Sequence, residues 1–156
     1  MNLLALMTED ITELLVKIIE FANARQKILI RNITDCYGID YVPRDLEVNK
    51  FCRLLNDAID EHIKYRRLIL YDTENIKFQI KGSLQVKSVV DKYAQKLLED
   101  DRNEYLRVQI NKLIENSLNQ RIAAELLGRK QKVSAINYRT IDCSDDAESK
   151  KDLGNN

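Results

Sequence analysis

Residues 32–45 read NITDCYGIDYVPRD and separate two long helical patterns. Gly38 can adopt a positive φ, and Pro43 disfavours a helical conformation at Val42, so a helix that reaches Asn32 has to end within this stretch. The stretch also holds the only proline of the chain. We therefore predict a loop or extended strap here, with a helix on each side.

The segments that flank this strap have apolar residues at spacings of three and four, which is typical of helices that pack along one face. Thr8 is a suitable N-cap for the first helix, predicted over about 8–33, and a second helix is predicted over about 46–70. The last long helix is predicted over about 104–137. We expect the two terminal helices to pack on each other, and any seam that continues beyond its partner is available to other copies of the chain. The residues expected in these helix and subunit contacts are Ile11, Leu14, Leu15, Ile18, Ala22, Leu29, Leu106, Ile110, Leu113, Leu118 and Ile122.

Residues 76–90 change from the helical period to an alternating one, which predicts a β-hairpin. A three-residue loop at 82–84 would pair Ile80 with Val86 and Ile76 with Val90, keeping one apolar face. We expect the second strand to end near Lys87. A short helix should follow to about Glu99, with Ser88 as its cap in a capping box completed by Asp91.

These elements predict a mainly α fold, with long N- and C-terminal helices packed as a coiled-coil-like pair around a small β-hairpin and shorter helices. One domain would span 1–139, with a variable middle at 46–99. Residues 140–156 are acidic and poor in apolar residues, so we expect a disordered tail.

The composition gives little support for catalysis or for cofactor binding. The chain of 156 residues has 25 basic and 25 acidic side chains and a single histidine. It has no GxGxxG or GKS/T phosphate loop, and its three cysteines and His62 are too scattered for an ordinary metal motif. We therefore expect no catalytic, metal-binding or cofactor-binding residues and no enzymatic activity.

Residues 120–139, QRIAAELLGRKQKVSAINYR, allow a different interpretation. Over 121–139 five basic residues stand against Glu125 alone, and the Ala-Ala and Leu-Gly spacing is similar to that of a helix-turn-helix. DNA binding through this segment is one alternative. An uninterrupted helix with a basic face explains the same residues.

Two segments resemble bacterial flagellar basal-body rod proteins, above all the proximal rod protein B family. In the first segment the matching residues are Arg25-Gln26, Asn32-Ile33, Tyr41 and Arg44-Asp45-Leu46, although YGID at 37–40 replaces the family's Asp-Thr-Pro-Gly. In the second, INKLIENSL at 110–118 matches through Leu113, Glu115, Asn116, Ser117 and Leu118. The resemblance covers roughly residues 10–48 and 100–137.

This resemblance implies a non-enzymatic structural subunit that polymerises through its terminal helices into the rod of the bacterial flagellum. It marks Asn32, Ile33, Gly38, Tyr41, Arg44 and Asp45 as the family-motif loop, and Glu115 and Asn116 as the family-motif helix. The partners it implies are other copies, other rod proteins, the membrane-ring protein with its rod adapter, and the flagellar type III export apparatus. It also implies a periplasmic rod location, reached without a cleaved signal peptide, and neither nucleic-acid binding nor membrane insertion.

The initial MNLLALM is too short for a signal-peptide core, and no run approaches the roughly 20 apolar residues of a membrane span.

A cytoplasmic helical adaptor or export chaperone is the third alternative, because it would share the helical pattern.

Overall fold

The computed structural model describes the backbone of residues 3–79 and 82–148, and the side chains of 9–79, 82–133 and 135. The elements are α1 (Leu3–Thr34), β1 (Arg44–Asp45), α2 (Val48–Tyr65), β2 (Ile76–Lys77), β3 (Gln85–Val86), β4 (Val89–Val90), α3 (Lys92–Asp100) and α4 (Arg102–Glu148). The predicted fold class is confirmed, since the chain is mainly helical and its long terminal helices pack against each other.

Helix α1 is the centre of the described structure, and both α2 and α4 run antiparallel to it. Its residue Phe21 stacks on Phe51 of α2 with ring centroids 3.9 Å apart, and Phe51 stacks in turn near Phe78. We call this contact, with Leu55 and Ile76, the apolar seam; all five side chains are buried. Burial of each large side chain is worth about 1.5–3 kcal/mol, so this cluster is a major source of stability.

The strap after α1 forms a small sheet that the sequence pattern did not predict. Arg44 of β1 lies opposite Val90 of β4 in antiparallel register, and the Asp91 backbone N–H donates to the Pro43 carbonyl at 3.0 Å. This pairing holds the strap against the start of α3.

The hairpin predicted over 76–90 exists, but its predicted register is wrong. Ile76 lies opposite Val86 and Lys77 opposite Gln85, so Ile76 does not pair with Val90. The reason is that Val90 is taken by the strap sheet. The longer connection between the strands is held to α1, where Glu20 accepts from the Leu84 N–H at 3.0 Å and Lys17 donates to the Gly82 carbonyl. Ile80 lies outside the described residues.

Local capping moves several predicted helix ends. α2 ends at Tyr65 rather than near residue 70, because Arg66 adopts a left-handed conformation and its N–H bonds to the His62 carbonyl. α3 is capped by Asp91, whose carboxylate accepts from the Ala94 N–H at 2.9 Å. The predicted cap, Ser88, instead accepts from the Arg44 guanidinium.

The two terminal helices are longer than predicted. α1 begins at Leu3 rather than near residue 8, and α4 continues to Glu148, through 140–148 of the predicted tail. The rest of that tail, 149–156, lies outside the described residues. No turn interrupts α4 at Gly128, so residues 120–139 form the uninterrupted helix and not the helix-turn-helix geometry of the alternative interpretation.

None of the described helices combines the length and the apolar character needed to cross a membrane.

Candidate functional site

The strap is fastened to α1 and α4 by buried ion pairs. The Arg25 guanidinium of α1 donates to both carboxylate oxygens of Asp45, at 2.8 and 2.9 Å. Lys112 of α4 donates to Asp45 at 3.1 Å and to Asp91 at 2.7 Å. A two-pronged arginine–carboxylate bond fixes geometry as well as charge, so this cluster sets the position of the strap relative to both long helices.

These contacts shift the pKa values of Asp45 and Lys112. Burial by itself raises the pKa of Asp45, but the hydrogen bonds and charge of Arg25, with the charge of Lys112, hold that pKa below its usual value. Burial likewise lowers the pKa of Lys112, yet Asp91 and Asp45 together raise it above its usual value. Asp45 and Lys112 are therefore both charged near neutral pH.

Asn32 is the centre of a second polar group, in the last turn of α1. Its side-chain amide donates to the Arg44 carbonyl at 2.8 Å and to Gln109 Oε1 at 2.9 Å. Its side-chain oxygen accepts from the Tyr41 hydroxyl at 2.8 Å and from the Arg44 N–H at 3.2 Å. One fully buried amide thus ties the strap to both terminal helices.

Helix α4 faces α1 with a row of mostly polar residues. The Tyr105 hydroxyl donates to the Asn32 carbonyl at 2.8 Å, and the Asn116 amide donates to the Ala22 carbonyl at 2.8 Å. Burial raises the pKa of Tyr105, which keeps its hydroxyl protonated as a donor. We call the contact of Tyr105, Gln109, Lys112 and Asn116 with α1 and the strap the polar seam.

The face of α4 that meets α1 is mostly polar, whereas the sequence pattern predicted helix and subunit contacts from an aliphatic row on the same helix. Residues 105, 109, 112, 116 and 123 recur at spacings of three, four and seven, so they share one helical face. The aliphatic row lies mostly on other faces. We call its exposed part the aliphatic stripe, which consists of Ile110, Ile114, Leu118, Ile122 and Leu126, between 44% and 61% exposed.

The predicted interface residues consequently divide into three groups. Within the chain Leu15, Ala22 and Leu29 are buried, and Leu14, Ile18, Leu106 and Leu113 are half-buried. The exposed residues are Ile11, Ile110, Leu118 and Ile122. The first two groups contact other parts of the same chain, and the third is open to solvent.

The family-motif residues also divide. Asn32, Asp45 and Asn116 are buried, and Ile33 and Tyr41 are half-buried, whereas Gly38, Arg44 and Glu115 are exposed. Gly38 does not take the predicted positive φ, which belongs instead to Asp40 at 57°. The Gly38 N–H bonds to the Asp35 carbonyl, and a β-carbon on Gly38 would approach that oxygen to 3.1 Å.

Sequence reasoning missed the roles of Tyr105, Gln109 and Lys112, and it placed Asp91 only in a capping box and not in an ion pair, although all four take part in the clusters above. A usable signal was present, since three of them recur with Asn116 on one face of α4. The search for apolar periodicity passes over a buried face built from amides and a tyrosine.

An apolar groove of about 300 Å³ lies where α1, α2 and α4 meet. Its lining includes Leu15, Phe51, Leu55, Ala123 and Leu126. The aliphatic stripe therefore reaches this groove at its C-terminal end. Among the described residues no group of three His, Cys, Asp or Glu side chains is placed to hold a metal ion.

Comparisons of the chain with protein-family models, with curated proteins and with solved structures find no match.

Proposed function

We propose that this chain is a structural subunit of the bacterial flagellar basal body, in the proximal rod, where it polymerises through its terminal helices. Its partners would be other copies and other rod proteins, the membrane-ring protein with its rod adapter, and the export apparatus that delivers it. Its place would be the periplasmic rod.

The observation that carries this proposal is the convergence of the two segments that resemble the rod family. Arg25, Asn32, Tyr41 and Asp45 come from the first segment and Asn116 from the second, more than 70 residues later. All five make hydrogen bonds around the strap or between α1 and α4. Residues that were matched only by sequence position thus have a shared role in the fold.

The aliphatic stripe supports the polymerising part of the proposal. Five large aliphatic side chains on one helix are a costly exposure in a chain that stays alone in water, and such surfaces mark sites of association. The polar seam already fixes α4 on α1, so the stripe is left for contacts outside the described chain.

The proposal is tested in the native bacterium with a tagged copy of the gene in a deletion strain. We expect the tagged protein to be recovered in purified basal bodies and to restore swimming in soft agar. The double variant Ile114→Asp/Leu118→Asp should fold, because both side chains are exposed, but should fail in both measurements. Asn56→Asp, an exposed change on α2, is the control and should behave as the native protein.

Two results would contradict the proposal. One is normal swimming in the deletion strain together with no tagged protein in basal bodies. The other is retention of the tagged protein in the cytoplasm bound to an exported substrate, which would instead identify an adaptor or export chaperone.

A further inference from the structure

Two exposed corners of the molecule carry aromatic and aliphatic side chains together with opposite charge. The acidic corner consists of residues 35–40 and 99–104, and it exposes Ile39 at 95% and Tyr37 at 67%. The basic corner consists of residues 61–67, and it exposes Ile63 at 66% and Tyr65 at 62%. Exposure this large is unusual for such side chains unless a partner covers them.

The charges of the two corners are complementary. Within its residue ranges the acidic corner holds six acidic residues against Arg102, and Arg107 pairs with Glu104 at its edge. The basic corner holds Lys64, Arg66 and Arg67 against Glu61, and Asp10 lies at its edge beside His62. In the acidic corner the Arg102 guanidinium lies 5.0 Å from the Tyr37 ring centroid, and in the basic corner the Arg67 guanidinium lies 5.3 Å from that of Tyr65. Each exposed ring is thus held in place by a cation of its own corner.

The two corners lie at opposite ends of α1. The acidic corner follows the end of α1, since Cys36 packs with Tyr105 and Ala94 beside the start of α4. The basic corner lies at the end of α2. There His62 Nδ1 lies 3.1 Å from the Asp10 carboxylate of α1, although the angles at this contact do not make it a hydrogen bond. From Asp10 to Thr34 a helix advances about 36 Å, so one molecule cannot bring its own corners together.

We propose that the acidic corner of one copy binds the basic corner of the next, so that copies of this chain associate head to tail. Two different patches at opposite ends give a heterologous contact, which does not close on itself and therefore extends into a linear assembly. The biological meaning of the contact rests on the proposed rod function. The contact itself is a property of the purified chain, and it is distinct from association along the aliphatic stripe.

Charge exchange between the corners tests this contact. Asp35→Lys/Glu99→Lys/Asp100→Lys leaves three acidic residues against four basic ones in the acidic corner, so both corners are then basic. Lys64→Glu/Arg67→Glu leaves Arg66 against three acidic residues in the basic corner, so both corners are then acidic. Each variant alone should associate at least about tenfold more weakly than the native chain. Mixed in equal amounts, the two variants present opposite charges at every junction and should regain assembly. Sedimentation velocity in low salt measures the mass of the assemblies, and circular dichroism checks that each variant is folded.

A matched control and salt complete the test. Arg53→Glu/Arg129→Glu changes the net charge by the same amount as Lys64→Glu/Arg67→Glu, at exposed sites outside both corners, and it should assemble as the native chain does. High salt should weaken native assembly, because exposed charges are screened.

Four results would overturn the head-to-tail contact. These are a native chain that remains monomeric in low salt, a mass that stops at a dimer, a mixture of the two variants that stays monomeric, and a control that is weakened as much as the corner variants. Recovery of the chain in basal bodies while it remains monomeric in solution would overturn this contact and leave the rod function standing. Assembly in solution with no basal-body association would do the reverse.

Discussion

Helix α1 contacts α2 and α4 on different sides, and the two contacts are built from different chemistry. The apolar seam with α2 consists of stacked phenylalanines and aliphatic side chains, whereas the polar seam with α4 consists of amides, a tyrosine and ion pairs. Apolar packing depends mainly on volume and tolerates changes of shape. Buried hydrogen bonds depend on donors, acceptors and direction, so the polar seam should fix the relative position of the helices more strictly.

The largest effect is expected from removing the carboxylate of Asp45, which pairs with both Arg25 and Lys112. Asp45→Ala leaves the buried Arg25 without its partner and Lys112 with one partner fewer, which should lower the free energy of unfolding by about 3–5 kcal/mol. Urea unfolding followed by circular dichroism measures the loss. Asp57→Ala, at an exposed position of α2, is the control, and a loss at residue 45 no larger than in this control would show that the cluster does not hold the strap.

Acid should remove the same interactions without a mutation. The folded-state pKa of Asp45 lies below its ordinary value of 3.8, so its contribution is present above that pH and is lost as the pH falls through the lowered pKa. Unfolding free energies measured from about pH 6 to about pH 2 should therefore fall more steeply in the native chain than in Asp45→Ala. Parallel pH profiles would contradict the assigned role of this carboxylate.

Asn32→Asp changes chemistry at almost constant shape. The new carboxylate would face the Arg44 carbonyl and Gln109 Oε1, which now accept from the amide, so two hydrogen bonds become repulsive contacts. We expect a loss of about 3 kcal/mol in unfolding free energy. Asn23→Asp, one residue after Ala22 on the exposed side of α1, is the control. Similar unfolding midpoints for the two variants would show that the Asn32 hydrogen bonds contribute little.

The apolar seam should tolerate a change of shape better. Phe51→Met keeps most of the buried volume but loses the stacking on Phe21, and we expect a loss of about 1–2 kcal/mol. Its cost should stay below that of Asn32→Asp in the same urea measurement. A reversed order would contradict the contrast between the two seams.

The smallest effect is expected at Gln109. Its Oε1 accepts from Asn32, but its buried Nε2 finds no hydrogen-bond partner among the described residues, so one stabilising bond and one unsatisfied donor belong to the same side chain. Gln109→Leu removes one good hydrogen bond together with one unsatisfied donor, and the change should stay within about 1 kcal/mol of the native chain. A loss as large as that of Asn32→Asp would indicate that the Nε2 group has a bond to water that this balance omits.

Sequence reasoning succeeded where apolar periodicity decides the structure. Apolar residues at spacings of three and four predicted a helix on each side of the strap, and Gly38 and Pro43 mark the break between these helices. The strap sheet was missed because the pairing of Arg44 with Val90 joins residues 46 apart, and no local pattern specifies a two-residue strand. The predicted hairpin register was wrong for the same reason, because Val90 pairs with Arg44 and not with Ile76.

Only part of the candidate site was predicted from the sequence, and its arrangement was not. Asn32, Asp45 and Asn116 were singled out by resemblance, and the structure places them at buried hydrogen bonds. Apolar periodicity placed the helix and subunit contacts of α4 on its aliphatic residues, because a polar face that makes buried hydrogen bonds looks solvent-exposed in a hydropathy pattern. Only the partner groups on α1 and the strap identify that face as buried.

The reach of the Asn32 contacts also bears on the order of events during folding. The amide of Asn32 meets Gln109 across 77 positions of sequence, and the Ala22 carbonyl meets Asn116 across 94. Contacts between such distant positions form late, because the entropy of closing a long loop is lost before these contacts contribute any stability. A ribosome that has made α1, the strap and α2 has therefore made a chain whose polar groups still lack their partners. Residues in the first two thirds of the chain can therefore reach their final packing only after α4, which begins at Arg102, has been synthesised.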